Sequence, residues 1–456
     1  MDRYGYRTTR RTLLGAAGAL GLGMVAGACS RTGADRRDGG AVGSGRAGPV
    51  VGLVWNLPLA QSATAAIGQG VRSHVSQMRQ IADPSGDTGL NWWMVIGQDI
   101  IGTPIDLTSV LKEINFDPYI LVPGAQDVFM RDGVVMAVPA GLQPLAIEYN
   151  PLALRAADVA VPSTGWTIND FANVCRVLKT AISSGKLKSL GISMVLSPLL
   201  DAGLQTLDSA QESTGPEWWA TTVTLQNPIL WEAFVRGYGG TVATAEGVAW
   251  TSGPAVDGIT QLMELCHEYG NGSATPASAR SASALRVIQI NEFVVPPAAN
   301  EPIRGLAAFP RLPSQPVLPA NVMPAYAVYS AKGPLSGVSV PRGNLSELAE
   351  IDQTIAQFLD WLYQDAQQAL LVHAGMAPVT MAGLRDSGYW SEIGMGDSTR
   401  PLQVAYPWPA RAASVLHTEL PKVAWGAIAD PKGIKAALRT LSGELTAAMA
   451  GKAGRG

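Results

Sequence analysis

Apolar positions change their period along the chain, and each change marks an element. Val50–Trp55 and Trp92–Ile96 are short continuous apolar runs of strand length, and Ala65–Ala82 between them has helical character. Thr167 with Asp170 forms a capping box ahead of Phe171, Val174, Val177 and Leu178, and Gly185 stops that helix. Pro254 stands at a first helical position before Val256, Ile259, Leu262, Met263 and Cys266. Asn344 with Glu347 opens a long helix whose face is Ile355, Phe358, Leu359, Leu362, Ala366 and Leu370, closing at Gly375. Asp430-Pro431 caps a last helix with Ile434, Leu438, Leu441 and Leu445 inward. Strands alternating with helices predict an α/β architecture with a largely parallel sheet.

The first residues break this pattern. Arg3, Arg7, Arg10 and Arg11 precede an uncharged, Gly-rich run from Leu13 to Ala28 that ends at Cys29. A positive segment, a short apolar segment and small residues before a cut are the order of an export signal, and the run is too short for a comfortable membrane span. Thr9-Arg10-Arg11-Thr12-Leu13-Leu14 resembles a twin-arginine signal, and Val25-Ala26-Gly27-Ala28-Cys29 resembles a lipobox in which the cysteine is acylated after cleavage. The expectation is a signal peptide over 1–28, lipid on Cys29, a flexible Gly/Ala/Ser-rich tether over 29–48, and a folded body outside the cytoplasm held to the cell membrane by that lipid alone.

Without residues 1–28 the chain keeps 29 basic and 35 acidic side chains, a net charge of −6, and no long basic run, so nucleic acid is a poor partner. About 428 residues exceed one core, so two lobes are expected. Cys175 and Cys266 fall in apolar helical patterns and read as buried thiols, although export would permit a bridge. The histidines, His74, His267, His373 and His417, lie at no metal-ligand spacing on one helix; no nucleophile elbow or dinucleotide loop is present. No metal, cofactor or catalytic group is implied. The 12 tryptophans are more informative. Trp55, Trp92, Trp93, Trp231, Trp250, Trp390 and Trp408 lie in or beside strands and turns, where an indole suits stacking on a flat solute, while Trp166 and Trp361 read as helix packing.

Three stretches together resemble the family 1 extracellular solute-binding proteins, receptors of ABC importers for sugars and related solutes. They are Asp132-Gly133-Val134 through Asn150-Pro151-Leu152 to Gly165–Phe171; Trp231 through Gly239-Gly240 to Trp250–Pro254; and Phe309–Pro313 through Tyr326–Lys332 and the Phe358–Gln367 helix to Gly375–Val379. Between Trp55 and Trp92 the chain is shorter than that pattern. The resemblance implies a two-lobed periplasmic-binding-protein-like fold of type II with crossing hinge segments. Lobe 1 would take 49–145 and 309–374, and lobe 2 would take 146–308 and 375–456, with crossings near Ala146–Asn150, near Ala308–Pro313 and soon after Gly375. It also implies ligand contacts at Gln143, Trp55, Asn56, Trp92, Trp93, Ser197, Tyr326, Tyr406 and Trp408. The function so implied is capture of a small solute, a carbohydrate or polyol, for the transmembrane subunits of an ABC permease. A degenerate cell-surface sensor or scaffold of the same fold, or an exported lipid-anchored hydrolase, are the alternatives.

Overall fold

The structure is a computed structural model describing residues 50–55, 61–81, 90–96, 103–128, 130–131, 134–187, 219–223, 225, 227–271, 283–290, 304–314, 317–329, 345–372, 375–392 and 400–451. Cys29, the tether, Asn56, Ser197 and Asn344 lie outside the described residues.

Eleven strands form the main sheet. In chain order they are β1 (Val51–Trp55), β2 (Met78–Gln80), β3 (Trp92–Ile96), β4 (Thr103–Pro104), β5 (Val138–Tyr149), β6 (Trp219–Val223), β7 (Gly270–Asn271), β8 (Ser283–Gln289), β9 (Gly305–Ala308), β10 (Leu318–Tyr329) and β11 (Leu402–Val404). The order across the sheet is β7-β6-β8-β5-β10-β3-β1-β2, with β9 also on β5 and β4 and β11 on β10. The helices that matter below are α1 (Gln61–His74), α2 (Ile168–Ser183), α3 (Pro228–Gly237), α4 (Gly253–Tyr269), α5 (Leu345–Leu362), α6 (Asp365–Val372), α7 (Ala410–Ala429) and α8 (Ile434–Met449).

β5 and β10 join two halves of one sheet. β5 pairs with β10 over Val138–Pro144 and then with β8 from Leu145 and β9 from Ala146. β10 pairs with β11 over Leu318–Ala320, with β5 over Ala320–Ala325, and with β3 over Ala325–Tyr329. Every one of the twelve residues of β5 is buried, so its backbone N–H and C=O groups depend on neighbouring segments for partners. The register of this pair slips between Met323 and Pro324, and Pro139 faces Pro324 there. Proline brings no N–H to a ladder, and a bulge is where a central strand tolerates one.

This topology corrects one expectation. The sheet is mixed: β1–β2, β1–β3, β6–β7, β6–β8 and β10–β11 are parallel, but every pairing that β5 makes is antiparallel. A strand that crosses between halves runs against neighbours on both sides, which the helix-strand alternation does not reveal. Within Ala308–Pro313, Arg311 exchanges backbone bonds with Trp166 and Ile168 beside α2. After Gly375, at φ +75°, Ala377 and Leu142 exchange backbone bonds of 2.8 Å, bringing a third segment onto β5.

The predicted helix ends are largely those observed. Thr167 and Asp170 cap α2 reciprocally, with Asp170 Oδ2 accepting the Thr167 N–H at 2.8 Å. Pro254 opens α4. The helix expected to run through to Gly375 is instead divided into α5 and α6. Gln368, fully buried, donates to the Leu362 carbonyl at 2.7 Å and accepts from the Val379 N–H at 2.8 Å, so it satisfies both the broken helix end and the strand-like segment on β5. Asp430 accepts from the Lys432 N–H in a short 3-10 turn, and α8 itself starts at Ile434.

Both faces of the first half are packed. Trp92, Met94 and Ile96 of β3 join the main core, while Trp93 and Val95 point the other way onto Val54, Tyr326 and Val328. Gly52 is required by this arrangement, since a Cβ there would collide with the Trp93 ring. Cys175 and Cys266 are free and fully buried, and burial pushes the Cys266 thiol up to about 12. In the second half Glu148 of β5 and Arg286 of β8 sit in register with a 3.0 Å ion pair, both almost wholly out of solvent. Arg286→Met leaves the carboxylate buried without that partner and is expected to lower unfolding free energy by about 3–5 kcal/mol, read from denaturant midpoints. An unchanged midpoint would show the pair to be energetically idle.

Candidate ligand-binding site

The seam between the halves offers Gln143, which lies opposite Asn321 in the β5–β10 register and is 1% exposed. The strand ends of the first half meet this seam. Trp55 ends β1 opposite Ile96, is half-buried against the core, and its indole N–H has no acceptor among the described residues. Tyr326 pairs with Val95 and is buried in the smaller cluster. Trp92 packs edge-on against Tyr329 at 4.9 Å. Because adjacent strand residues face opposite sides, Trp92 and Trp93 do not share a surface.

The second half contributes a wall of aromatic rings. Asn227 caps α3, accepting the Ile229 N–H at 3.2 Å, with Pro228 at the first position. α3 is buried nearly all round, including Trp231 and Glu232. Trp231 donates to the Leu225 carbonyl at 2.9 Å and stacks on Trp250 with centroids 6.0 Å apart. Trp250 meets Trp408 edge-on at 5.8 Å, and Trp408 meets Tyr406 edge-on at 4.8 Å. Trp231 and Trp250 are inaccessible, whereas Tyr406 and Trp408 are half-buried and present ring surface.

One carboxylate organises that wall. Glu232 Oε1 accepts the Trp408 indole N–H at 2.6 Å and Oε2 accepts the Tyr406 backbone N–H at 2.7 Å. Arg236 Nη2 stands 3.9 Å away, one helical turn on, at the outer limit of an ion pair. Burial pushes the Glu232 carboxyl up to about 7, outweighing the two hydrogen bonds and Arg236, which favour the ionised form. Burial and then the Glu232 charge raise the Tyr406 phenol. The structure thus brings Tyr406 and Trp408 together, places Gln143 at the seam and Trp55 at the end of β1, and puts Trp92, Trp93 and Tyr326 into packing. Glu232 and Arg236, which sit behind Tyr406 and Trp408, were not among the residues expected from the sequence. The available signal was a carboxylate inside Ile229-Leu230-Trp231-Glu232-Ala233-Phe234, a run apolar on all sides.

Half-exposed rings backed by buried indoles suit a flat, weakly polar face, with the ring edges held rigid. Among the described residues no cluster of metal-ligating side chains occurs, and no helix is long and apolar enough to cross a membrane. A separate hollow of about 340 Å³ lies along α2, lined by Arg176, Val177, Thr180 and Ser184 among others, and shares no residue with the wall.

No protein-family model matches the sequence, and no curated protein matches it. Solved structures do. UgpB from Mycobacterium tuberculosis in complex with glycerophosphocholine superposes with a TM-score of 0.60 at 11% identity, over 89% of this chain and 99% of that one. The fold is that of a two-lobed periplasmic binding protein. The cyclic α-maltosyl-1,6-maltose binding protein from Arthrobacter globiformis gives 0.58 at 14% identity over 88% and 99%, and maltose-bound MalE3 from T. maritima gives 0.56 at 12% over 87% and 98%. The likeness in fold extends over 87–89% of this chain.

The raised Glu232 carboxyl sets a pH dependence of stability. Folding binds this proton more tightly than the unfolded chain does, so the contribution is complete below about 4.5 and is lost as pH climbs through about 7. Between those values the slope approaches about 1.4 kcal/mol per pH unit for one group. Glu232→Gln removes that component, so the difference in stability between the variant and the native protein is expected to shift in the variant's favour from pH 5 to pH 8. Parallel curves for the two proteins would contradict it.

Proposed function

We propose that this chain is an extracytoplasmic receptor that captures a small solute, a carbohydrate or polyol, between its lobes and delivers it to the transmembrane subunits of an ABC permease. The observation that carries the reading is the aromatic wall of Tyr406 and Trp408, backed by Trp250 and Trp231, in a two-lobed binding-protein fold. The ligands named for these neighbours, maltose, a cyclic maltosyl sugar and glycerophosphocholine, are uncharged or zwitterionic and rich in oxygen, which agrees with a wall that offers ring faces. Trp55 and Gln143 would face the same guest from the first lobe and the seam. Closure of the lobes about β5 and β10 would exclude water around it. The domain assignment of the sequence reading, the export signal over 1–28, the lipid on Cys29 and the membrane-bound location belong to this proposal.

A thermal-shift panel of maltose, cyclic glucans, polyols and glycerophosphocholine is expected to contain at least one member that raises the melting temperature with concentration as mass action requires. For that solute Trp408→Ala should weaken affinity about tenfold or more, since a lost stacking partner is worth about 1.4 kcal/mol or above. A panel without any shift, or a Trp408→Ala protein that binds as tightly, would defeat the reading. Cys29→Ser is expected to move the protein from the membrane fraction to the soluble extracytoplasmic fraction; retention in the membrane fraction would remove the lipid anchor from the account.

A further inference from the structure

The two donors at Glu232 come from a segment about 175 positions later in the chain, and each takes a different oxygen, at 2.6 and 2.7 Å. The rings of Trp408 and Tyr406 meet each other edge-on, Trp408 also meets Trp250, and the Trp408 N–H donates to the Tyr406 carbonyl at 2.9 Å across the turn between them. An ionised carboxylate has lone pairs for both donors. A protonated one must aim its O–H away from one oxygen's donor or displace that donor, because the N–H groups already occupy the positions beside both oxygens. The charged or titratable groups facing Glu232 are Arg236 on its own helix and the Tyr406 phenol on the connector, while the elements packed behind it present the neutral rings of Trp231 and Trp250.

We propose that Glu232 is the positioning residue of the aromatic wall, and that the proton it gains or loses decides how firmly Tyr406 and Trp408 are held, so that solute capture is proton-linked. The inference rests on the receptor reading for its ligand half and on the local geometry alone for its other half. A solute that stacks on Trp408 needs the ring in place, so it favours the ionised form, releases a proton on binding and binds more tightly as pH rises. The titration falls near neutrality, where burial has moved the carboxyl. This is linkage through position: Glu232 is buried behind the rings and need not touch the solute.

Two measurements on the full chain decide it. Near-ultraviolet circular dichroism from pH 5.5 to 8.5 should show an aromatic transition with a midpoint near 7 in the native protein. The transition should vanish in Glu232→Gln, and its midpoint should move upward in Trp408→Phe, which takes one donor from the carboxylate but keeps a ring. Persistence of the transition in Glu232→Gln, or an unmoved midpoint in Trp408→Phe, overturns the positioning role; if Glu232→Gln does not fold, the Trp408→Phe midpoint decides alone. Calorimetric affinities for maltose and glycerophosphocholine should be about tenfold tighter at pH 8 than at pH 6 for whichever binds, equivalent to about 1.4 kcal/mol. Glu232→Gln should show the same affinity at both pH values. A native affinity independent of pH overturns the proton linkage. Failure of the native protein to bind either probe or any panel member overturns the receptor reading and the ligand half with it, while the dichroism still decides the role of Glu232.

Discussion

The antiparallel union of β5 and β10 is the interaction on which everything else hangs. Each strand spends part of its length in one half of the sheet and part in the other, and β5 is buried throughout. A buried strand cannot leave its backbone groups to water, so the halves must be built outward from this pair. The slip at Met323 and Pro324, opposite Pro139, interrupts the ladder at its centre without exposing an unpaired donor, because proline has none to offer.

Energetics separate the two halves. The first is held by close apolar packing, in which Gly52 yields its side-chain space to Trp93 and both sheet faces are dry. The second also encloses charge: Glu148 is neutralised by Arg286, and Glu232 is answered only by hydrogen bonds and a distant guanidinium. Those are opposite solutions to one problem. Glu148 has a guanidinium at 3.0 Å, whereas Glu232, which relies on neutral donors, is left near the point where protonation and ionisation are equally favourable.

Legibility followed the range of the interaction. Thr167 with Asp170, Pro254 and the apolar runs of β1 and β3 are local signals, and the elements they announce are where the sequence places them. The break between α5 and α6 was not legible, because it depends on Gln368 reaching a carbonyl six residues back and an N–H eleven residues on. Nor was the mixed sheet, since strand direction is a property of the whole chain's path. Trp408 was legible as an aromatic near a turn and Tyr406 only through the family resemblance, but their common partner was not, for Glu232 reads as one polar letter in an apolar helix until the fold brings a distant segment over it. Trp92 and Trp93 illustrate the reverse: two neighbouring indoles look like one surface in the sequence, and the pleat sends them to opposite sides.

The bond between Glu232 and the residues after β11 has a consequence for biogenesis. The half-built chain emerging from a ribosome already contains α3 and its acid, yet the rings that would meet a guest are translated some 175 codons later. Until then the acid has neither donor, so the nascent protein holds an unsatisfied group in an apolar helix and has no finished stacking surface. The carboxylate is therefore satisfied, and the Tyr406–Trp408 turn fixed against it, only once the chain beyond β11 is in place.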